Sequence, residues 1–247
     1  MSHSVRRAVV TGAARGIGAA IAERLSSDGL DVAILDLDEP RAQQTADRIA
    51  GTTGGKLVAH GCDVADRQQV QEVMGRVAEE LGGLDTLICN AGITRDAFLH
   101  KMTDEQWDQV VSVHLTGTFA CIRAVAPIFR EAGNCRIVCI SSVAGATGNA
   151  GQLNYSAAKA GIVGMVKTAA REFARSRTTV NAVRPGFIDT EMTRAIPDNI
   201  REQMVQAIPL ARPGQPDDVA GVVSFYCSDD AAYVTGTVLD VNGGFYM

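Results

Sequence analysis

The sequence lacks any long run of lysine or arginine, and its 247 residues carry a formal net charge of −5. Because nucleic acids and anionic membranes are bound largely through neutralised phosphates, neither is expected as the main partner. The first seven residues could pass for the start of a signal sequence, but the apolar stretch behind them spans only residues 8–10. Neither secretion nor a membrane span is therefore predicted.

The six cysteines include no Cys-x-x-Cys pair, and none stands at a spacing from histidine that is typical of zinc. No metal site is predicted. Three of the cysteines lie within apolar runs, which favours small buried hydrophobic side chains over a disulfide framework. This interpretation predicts a protein of the reducing cytoplasm.

Short apolar runs rich in valine and isoleucine alternate with longer stretches of helical periodicity. That order is typical of βαβ units, and nearly continuous apolar strands are expected where helices cover both faces of a parallel sheet. The predicted fold class is therefore α/β, with a single domain over residues 1–247. The predicted strands are residues 8–11, 32–35, 57–60, 86–90, 137–141, 179–184 and 238–241.

The first helix is marked by Ile17, Ile21 and Leu25, which recur at intervals of four, and it stops at Gly29. A later helix begins after Thr103. The segment 191–214 differs, because it is polar and broken by three prolines, with one weak helix over 199–207. We interpret it as a mobile flap over a site.

The first predicted strand runs directly into the turn TGAARGIG at residues 11–18, which opens the first helix. In such a turn Gly12, Gly16 and Gly18 let backbone N–H groups and the positive end of the helix dipole approach a pyrophosphate. A glycine pattern alone is weak. Its position between a strand and an amphipathic helix is the context that a dinucleotide site requires.

Asp36 lies at the end of the second predicted strand, 18 residues beyond Gly18. A carboxylate there can accept hydrogen bonds from the adenosine ribose and would repel a 2′-phosphate, so it favours NAD(H). Arg15 argues for NADP(H), since a guanidinium in the glycine turn can pair with that phosphate. The alternative is that Asp36, Asp38 and Glu39 form a solvated acidic loop.

Tyr155 and Lys159 stand four residues apart on a predicted helix, after Ser141 and Ser142 at the end of the fifth strand. This spacing places an ammonium near a phenol, and the cation is expected to lower the pKa of Tyr155 toward the working range. Ser142 could hold the substrate oxygen and stabilise its developing charge. Tyr-x-x-x-Lys by itself is common and most often lies on a helix surface.

Four ordered motifs resemble those of the short-chain dehydrogenase/reductase family, and the resemblance covers essentially the whole chain. They are the glycine turn at 11–18, Asn90-Ala91-Gly92, Ser142 followed 13 residues later by Tyr155-x-x-x-Lys159, and Arg184-Pro185-Gly186 through Thr190. The resemblance implies a Rossmann-type doubly wound parallel sheet with helices on both faces and a homotetramer.

For the site, the resemblance implies that Tyr155 is the general acid or base and that Ser142 positions the carbonyl. Lys159 would lower the pKa of Tyr155 and bind the nicotinamide ribose. The implied cofactor contacts also include Gly12, Arg15, Gly16, Ile17, Gly18, Asp36, Asp63, Val64, Asn90, Ala91, Gly92, Pro185, Gly186, Ile188 and Thr190.

His114 stands where the family usually carries a catalytic asparagine, whose main-chain carbonyl is thought to hold a water linked to the lysine. A backbone carbonyl survives the substitution, so His114 could keep the function if its ring spares that water. Alternatively the imidazole joins the proton relay as a titrating group. In the third interpretation it is a buried histidine without a chemical role.

Within the family, the stretches around Asn90, Tyr155 and Asn242 look most like 3-oxoacyl-acyl-carrier-protein and acetoacetyl-CoA reductases. The leading hypothesis is therefore reduction of a 3-oxoacyl thioester, on CoA or an acyl carrier, or the reverse reaction. A dehydrogenase of a small secondary alcohol, sugar or cyclic alcohol is the alternative. A nucleotide-binding scaffold without catalysis is disfavoured by the retained Ser142, Tyr155 and Lys159.

Overall fold

The computed structural model describes residues 6–194 and 196–247, and its centre is one parallel sheet. The strand order across the sheet is β3-β2-β1-β4-β5-β6-β7, and every neighbouring pair is parallel. The strands are β1 Arg7–Thr11, β2 Asp31–Asp36, β3 Leu57–Gly61, β4 Thr86–Cys89, β5 Arg136–Ile140, β6 Thr179–Pro185 and β7 Val238–Val241. Each predicted strand is confirmed, with boundaries within one residue.

Helices cover both faces of this sheet, which confirms the doubly wound α/β fold in one domain. The helices are α1 Gly16–Ser27, α2 Glu39–Thr53, α3 Arg67–Leu81, α4 Asp104–Val111, α5 Gly117–Ala132, α6 Ala144–Thr147, α7 Leu153–Phe173, α8 Glu191–Arg194, α9 Asp198–Gln206 and α10 Pro216–Cys227. As predicted, α4 begins after Thr103. The Thr103 side chain caps it by accepting from the Gln106 N–H, and the Gln106 side chain accepts from the Thr103 N–H. The first helix ends before Gly29, which has a φ of +91°.

Alternation along the strands divides the core into two layers. Val9 and Leu87 point to the layer that contains α3, α5 and α7, whereas Val10 and Ile34 point to the layer of α1, α2 and α10. All four side chains are fully buried, and each such burial contributes about 1.5–3 kcal/mol. The six cysteines are all buried and free, as expected for small hydrophobic side chains.

The helices α4 and α5 are joined by a π-helical turn, Ser112–Thr116, into a continuous run over Asp104–Ala132. By length and composition alone this run could cross a membrane, with a hydropathy of 1.3 in its most apolar window. The run packs against α3, α7 and β4, and 39% of that window is buried. Packing within the fold therefore accounts for part of its apolar character.

The strand order reverses between β1 and β4, since β2 and β3 extend the sheet on one side and β5 to β7 on the other. Ligands of open α/β sheets bind in the crevice at the carboxyl ends of the strands beside such a reversal. The glycine turn after β1 and the Asn90 segment after β4 both open into this crevice.

The predicted flap is a loop whose two ends are joined. Ile188 pairs with Gly214, and the Asp189 N–H donates to the Gly214 carbonyl at 2.8 Å. The weak helix predicted within the flap is present as α9. The flap therefore starts and ends at one place beside the crevice.

Candidate active site

The glycine turn is packed so tightly against the Asn90 segment that side chains are excluded. A Cβ on Gly18 would lie 2.3 Å from the carbonyl oxygen of Gly12, and one on Gly12 would lie 2.6 Å from Cα of Ala91. Gly12 also has a φ of +63°. The Asn90 amide donates to the carbonyls of Thr11 and Gly12 at 2.9 Å each. Asn90 and Ala91 thus stabilise the conformation of the glycine turn.

The start of α1 offers free backbone N–H groups to an anion. Its N-cap residue, Arg15, provides no side-chain hydrogen bond to the helix, and the first turn contains no acidic residue. Gly16 has a φ of +57°, and a Cβ there would meet only Thr190, at 3.8 Å. The turn from Gly16 through Ile17 to Gly18 therefore fits the pyrophosphate of a dinucleotide.

Asp36 lies at the end of β2 and is ordered by the backbone around it. One carboxylate oxygen accepts from the Ala14 N–H at 3.0 Å and the other from the Asp38 N–H at 3.2 Å. Asp38 in turn caps α2 by accepting from the Arg41 N–H. Asp36 is thus ordered and half-buried, whereas Asp38 and Glu39 are exposed. Each Asp36 oxygen retains acceptor capacity for a ribose hydroxyl.

Asp63 and Val64 follow β3 on the same edge of the sheet. One Asp63 oxygen accepts from the Ala65 N–H at 2.9 Å, and its other oxygen has no hydrogen-bond partner among the described residues. Val64 is buried against Gly117, where a Cβ would come within 2.9 Å of a Val64 methyl group. This arrangement leaves an acceptor and an apolar wall beside the crevice, and the role of Asp63 and Val64 as cofactor contacts stays a prediction.

Ser142, Tyr155 and Lys159 are brought together at the carboxyl end of β5. The Ser142 hydroxyl accepts from the Ala144 N–H at 3.2 Å and lies near the Tyr155 phenol, whose pKa it lowers. Lys159 lies one turn along α7, with its Nζ 5.6 Å from the centre of the Tyr155 ring. Its ammonium donates to the Ile140 carbonyl at 2.7 Å. The predicted catalytic set is therefore one contiguous group.

The charges of this group differ from the prediction in one respect. Burial raises the pKa of Tyr155, and only the Ser142 hydroxyl opposes the rise, so the expected lowering by Lys159 is not found. Burial also lowers the pKa of Lys159 to about 8. Desolvation of the phenol is the main cause of the rise and the Asp96 carboxylate adds to it, while the Lys159 ammonium donates to the Ile140 carbonyl. Tyr155 consequently holds its proton at neutral pH.

His114 lies in the π-helical turn and faces the same centre. Its Nε2 is 2.8 Å from the Ile93 carbonyl oxygen and 3.1 Å from the Ile93 nitrogen, and its ring meets Tyr155 edge to face at 5.2 Å. Its Nδ1 is buried and has no hydrogen-bond partner in the part of the chain that the structure describes. Burial, reinforced by Lys159, lowers the pKa of His114 to about 3. The interpretation of His114 as a group titrating near neutrality is therefore wrong, because the buried ring stays neutral.

The Pro185 to Thr190 segment closes the other side of the crevice. The Pro185 carbonyl accepts from the Val143 N–H at 3.0 Å, which holds this segment against the loop that carries Ser142. A Cβ on Gly186 would lie 2.6 Å from the Cβ of Asn242. Ile188 is buried, and Thr190 lies beside Gly16. These residues line the crevice where the nicotinamide end of a dinucleotide is expected.

One residue of the site, Asn154, was not singled out from the sequence. The fully buried Asn154 donates to the carbonyls of Arg95 and Gln106 at 3.0 Å each, and its own oxygen accepts from the Tyr155 N–H at 2.7 Å. It fixes the start of the helix that carries Tyr155. Gly92 has no room for a side chain, since a Cβ would lie 2.4 Å from Cε1 of His114. For Asn154, the position beside Tyr155 was the only signal, whereas Gly92 was already part of the Asn-Ala-Gly motif.

Comparison with known proteins agrees with this geometry. A family model described as enoyl-(acyl carrier protein) reductase matches residues 12–246. Proteins named 3-oxoacyl-(acyl-carrier-protein) reductase FabG are similar over nearly all of both chains. That of Staphylococcus aureus strain Mu50 is 44% identical over 242 residues, with 98% of each chain covered. That of Escherichia coli K12 is 42% identical over 247 residues, with both chains covered in full.

Among solved structures, a protein of Sinorhizobium meliloti 1021 described as a short-chain alcohol dehydrogenase has a TM-score of 0.94 at 36% identity. The match covers 98% of this chain and 97% of that one. A dinucleotide crevice beside a serine, tyrosine and lysine defines an oxidoreductase that acts with a nicotinamide cofactor. The chain belongs to the short-chain dehydrogenase/reductase family.

Proposed function

We propose that this protein reduces a 3-oxoacyl thioester to the 3-hydroxyacyl thioester, or catalyses the reverse reaction. The observation that carries the proposal is the contiguous group of Ser142, Tyr155 and Lys159 at the end of β5. The names of relatives 42–44% identical over nearly the full length support the substrate class.

In this mechanism the 3-oxo oxygen lies between the hydroxyl groups of Ser142 and Tyr155. A nicotinamide cofactor, when bound, supplies the hydride that the carbonyl carbon accepts. Tyr155 gives its proton to the oxygen, so that C=O becomes CH–OH, and Ser142 donates a hydrogen bond to the developing negative charge. The Lys159 ammonium then lies within one helical turn of the phenolate that needs a proton. A raised pKa suits Tyr155 to this direction, since it enters the reaction protonated.

His114 is proposed to support Tyr155 as a neutral ring. The two hydrogen bonds to Ile93 use the same nitrogen, so only one can form at a time and the tautomer decides which. In either case the buried Nδ1 supplies one further polar atom beside Tyr155 and Lys159. We propose that the protein is active with this histidine. The backbone of His114 and the position of its ring would then fill the role of the asparagine that the family usually carries here.

NAD(H) is proposed as the preferred cofactor because the Asp36 carboxylate lies at the ribose end of the crevice, and NADP(H) is the alternative because Arg15 is nearby. The test is the initial rate with acetoacetyl-CoA, comparing NADH with NADPH at equal concentration in wild type and Asp36→Ala. Faster turnover with NADH in wild type, and loss of that preference in the variant, is the expected result. Preference for NADPH in wild type would overturn the assignment to Asp36.

The same assay separates the substrate classes. Crotonyl-CoA tests the enoyl reduction that the family model names, and a panel of secondary alcohols with NAD tests the dehydrogenase alternative. Turnover of acetoacetyl-CoA well above both is expected. Turnover of crotonyl-CoA or an alcohol alone would overturn the 3-oxoacyl proposal. A parallel assay with an acyl-carrier thioester distinguishes that carrier from CoA.

A homotetramer acting in the cytoplasm completes the proposal. A groove of about 510 Å³ between α5 and α7 is lined by apolar side chains including Phe119, Ile122 and Met165. Phe119 is 44% exposed there, and an exposed apolar groove is typical of an interface. Light scattering should give a tetramer for wild type and a smaller species for Phe119→Glu. The six free thiols support a reducing compartment.

A further inference from the structure

A single carboxylate on the flap pairs with two arginines that belong to the cofactor end of the crevice. Glu191, the first residue of α8, accepts from Arg15 at 2.8 Å through one oxygen and from Arg41 at 2.5 Å through the other. These two guanidinium groups hold the pKa of Glu191 below its ordinary value. Both carboxylate oxygens therefore have a cationic partner.

The three residues come from distant parts of the chain and meet beside the expected ribose position. Arg15 directly precedes α1 in the glycine turn, and Arg41 lies in the first turn of α2, five residues after Asp36. Thr190, next to Glu191, already lies beside Gly16. The ion pairs consequently join the flap to the edge of the crevice where Asp36 lies.

Two arginines that converge on one anion have the makeup of a phosphate site, because a guanidinium presents paired N–H donors to phosphate as it does to carboxylate. In dinucleotide folds an arginine near the ribose accommodates the 2′-phosphate of NADP. We propose that Glu191 sets the cofactor preference of this protein by occupying, with its own carboxylate, the two-arginine site that a 2′-phosphate needs. The inference rests on the proposed function in placing the ribose beside Asp36.

The ion pairs act through competition and contribute little to stability. Their side chains are 39% to 60% exposed, and exposed pairs contribute little to folding. The same donors cannot serve two anions at once, however. NADH leaves Glu191 in place, whereas NADPH has to displace it from Arg15 and Arg41 and meets a second negative charge in addition to Asp36.

The test is fluorescence titration of NADH and NADPH, without substrate, into wild type and Glu191→Gln. We expect the Kd for NADPH to fall about five- to tenfold in the variant and the Kd for NADH to change less than about twofold. The matched control is Glu202→Gln, which removes the same charge from an exposed position of α9 in the same flap. It should change neither Kd.

A second variant locates the effect on the arginines. Arg41→Gln should remove most of the gain in NADPH affinity when it is combined with Glu191→Gln, and 2′,5′-ADP should follow NADPH in every variant while ADP follows NADH. An unchanged Kd for NADPH in Glu191→Gln, or equal changes for both cofactors, would overturn the inference. A wild type that prefers NADPH would instead refute the cofactor proposal based on Asp36, and a gain in Glu191→Gln would still support the role of Glu191.

Discussion

Lys159 holds an ammonium group in the protein interior, and this charge is expected to reduce stability. The residue is 3% exposed, and burial lowers its pKa from 10.5 to about 8. One pKa unit corresponds to about 1.4 kcal/mol, so the charged form costs about 3 kcal/mol near pH 7. Methionine at this position removes that cost but leaves the Ile140 carbonyl without its partner, at about 1 kcal/mol. Lys159→Met should therefore abolish turnover and yet stabilise the fold by about 2 kcal/mol.

The pH dependence of this gain follows from the direction of the pKa shift. Because the folded-state pKa lies below the unfolded value, folding releases a proton between about pH 8 and 10.5, and the free energy of unfolding rises with pH in that window. Below about pH 8 the lysine is charged in both states and its full cost is present. By about pH 9.5 the cost falls to about 1 kcal/mol, so the advantage of Lys159→Met should nearly disappear.

The assay is thermal unfolding followed by circular dichroism at about pH 7 and about pH 9.5. A gain of about 2 kcal/mol corresponds to a rise in Tm of about 4–8 °C at neutral pH for a chain of this size. Lys167→Met is the control, since it removes an exposed ammonium from the same helix and should shift Tm little at either pH. Refutation would come from a Lys159→Met protein that melts no higher than wild type at neutral pH, or from an advantage that is equal at both pH values.

Three further outcomes are expected around Tyr155. Tyr155→Phe should lower kcat about 10²- to 10⁴-fold with little change in the Kd for NADH, and unimpaired turnover would contradict its role as proton donor. Because burial raises the Tyr155 pKa, the rate of 3-oxoacyl reduction should stay constant across neutral pH and decline as pH rises through that pKa, while the rate of product oxidation increases. Parallel pH profiles for reduction and oxidation would contradict this expectation. Gly92→Ala should cost about 1–3 kcal/mol by overpacking against His114, as measured by denaturation. Adding His114→Ala should recover part of that loss, and strictly additive losses would speak against the contact.

The strands could be predicted to within one residue because the sheet is buried on both faces. Every strand then appears in the sequence as a nearly continuous apolar run, as in Val32 to Leu35. The glycine turn was equally accessible, since Gly12 and Gly18 are required by contacts that any such strand-to-helix turn makes. Local pattern and local structure agree in these regions.

The parts that could not be predicted depend on contacts between distant residues. His114 bonds to Ile93, 21 positions away, and Glu191 reaches Arg15 across 176 positions. No periodicity marks either pairing. The direction of the Tyr155 pKa shift was expected to be downward, because the spacing to Lys159 indicates proximity but carries no information on how far both groups are removed from water.

The π-helical turn at Ser112–Thr116 has a consequence for how this chain tolerates insertions and deletions. Such a turn holds one residue more than an ordinary helical turn. Because the extra residue is accommodated within that turn, removing one residue there would restore a regular helix and leave α4 and α5 in nearly the same rotational phase. The change would fall on His114, which lies within the turn and would lose its position beside Tyr155. Such a deletion therefore disturbs the site more than the packing of α5, whereas the flap, joined at its base, can gain or lose residues without moving either end.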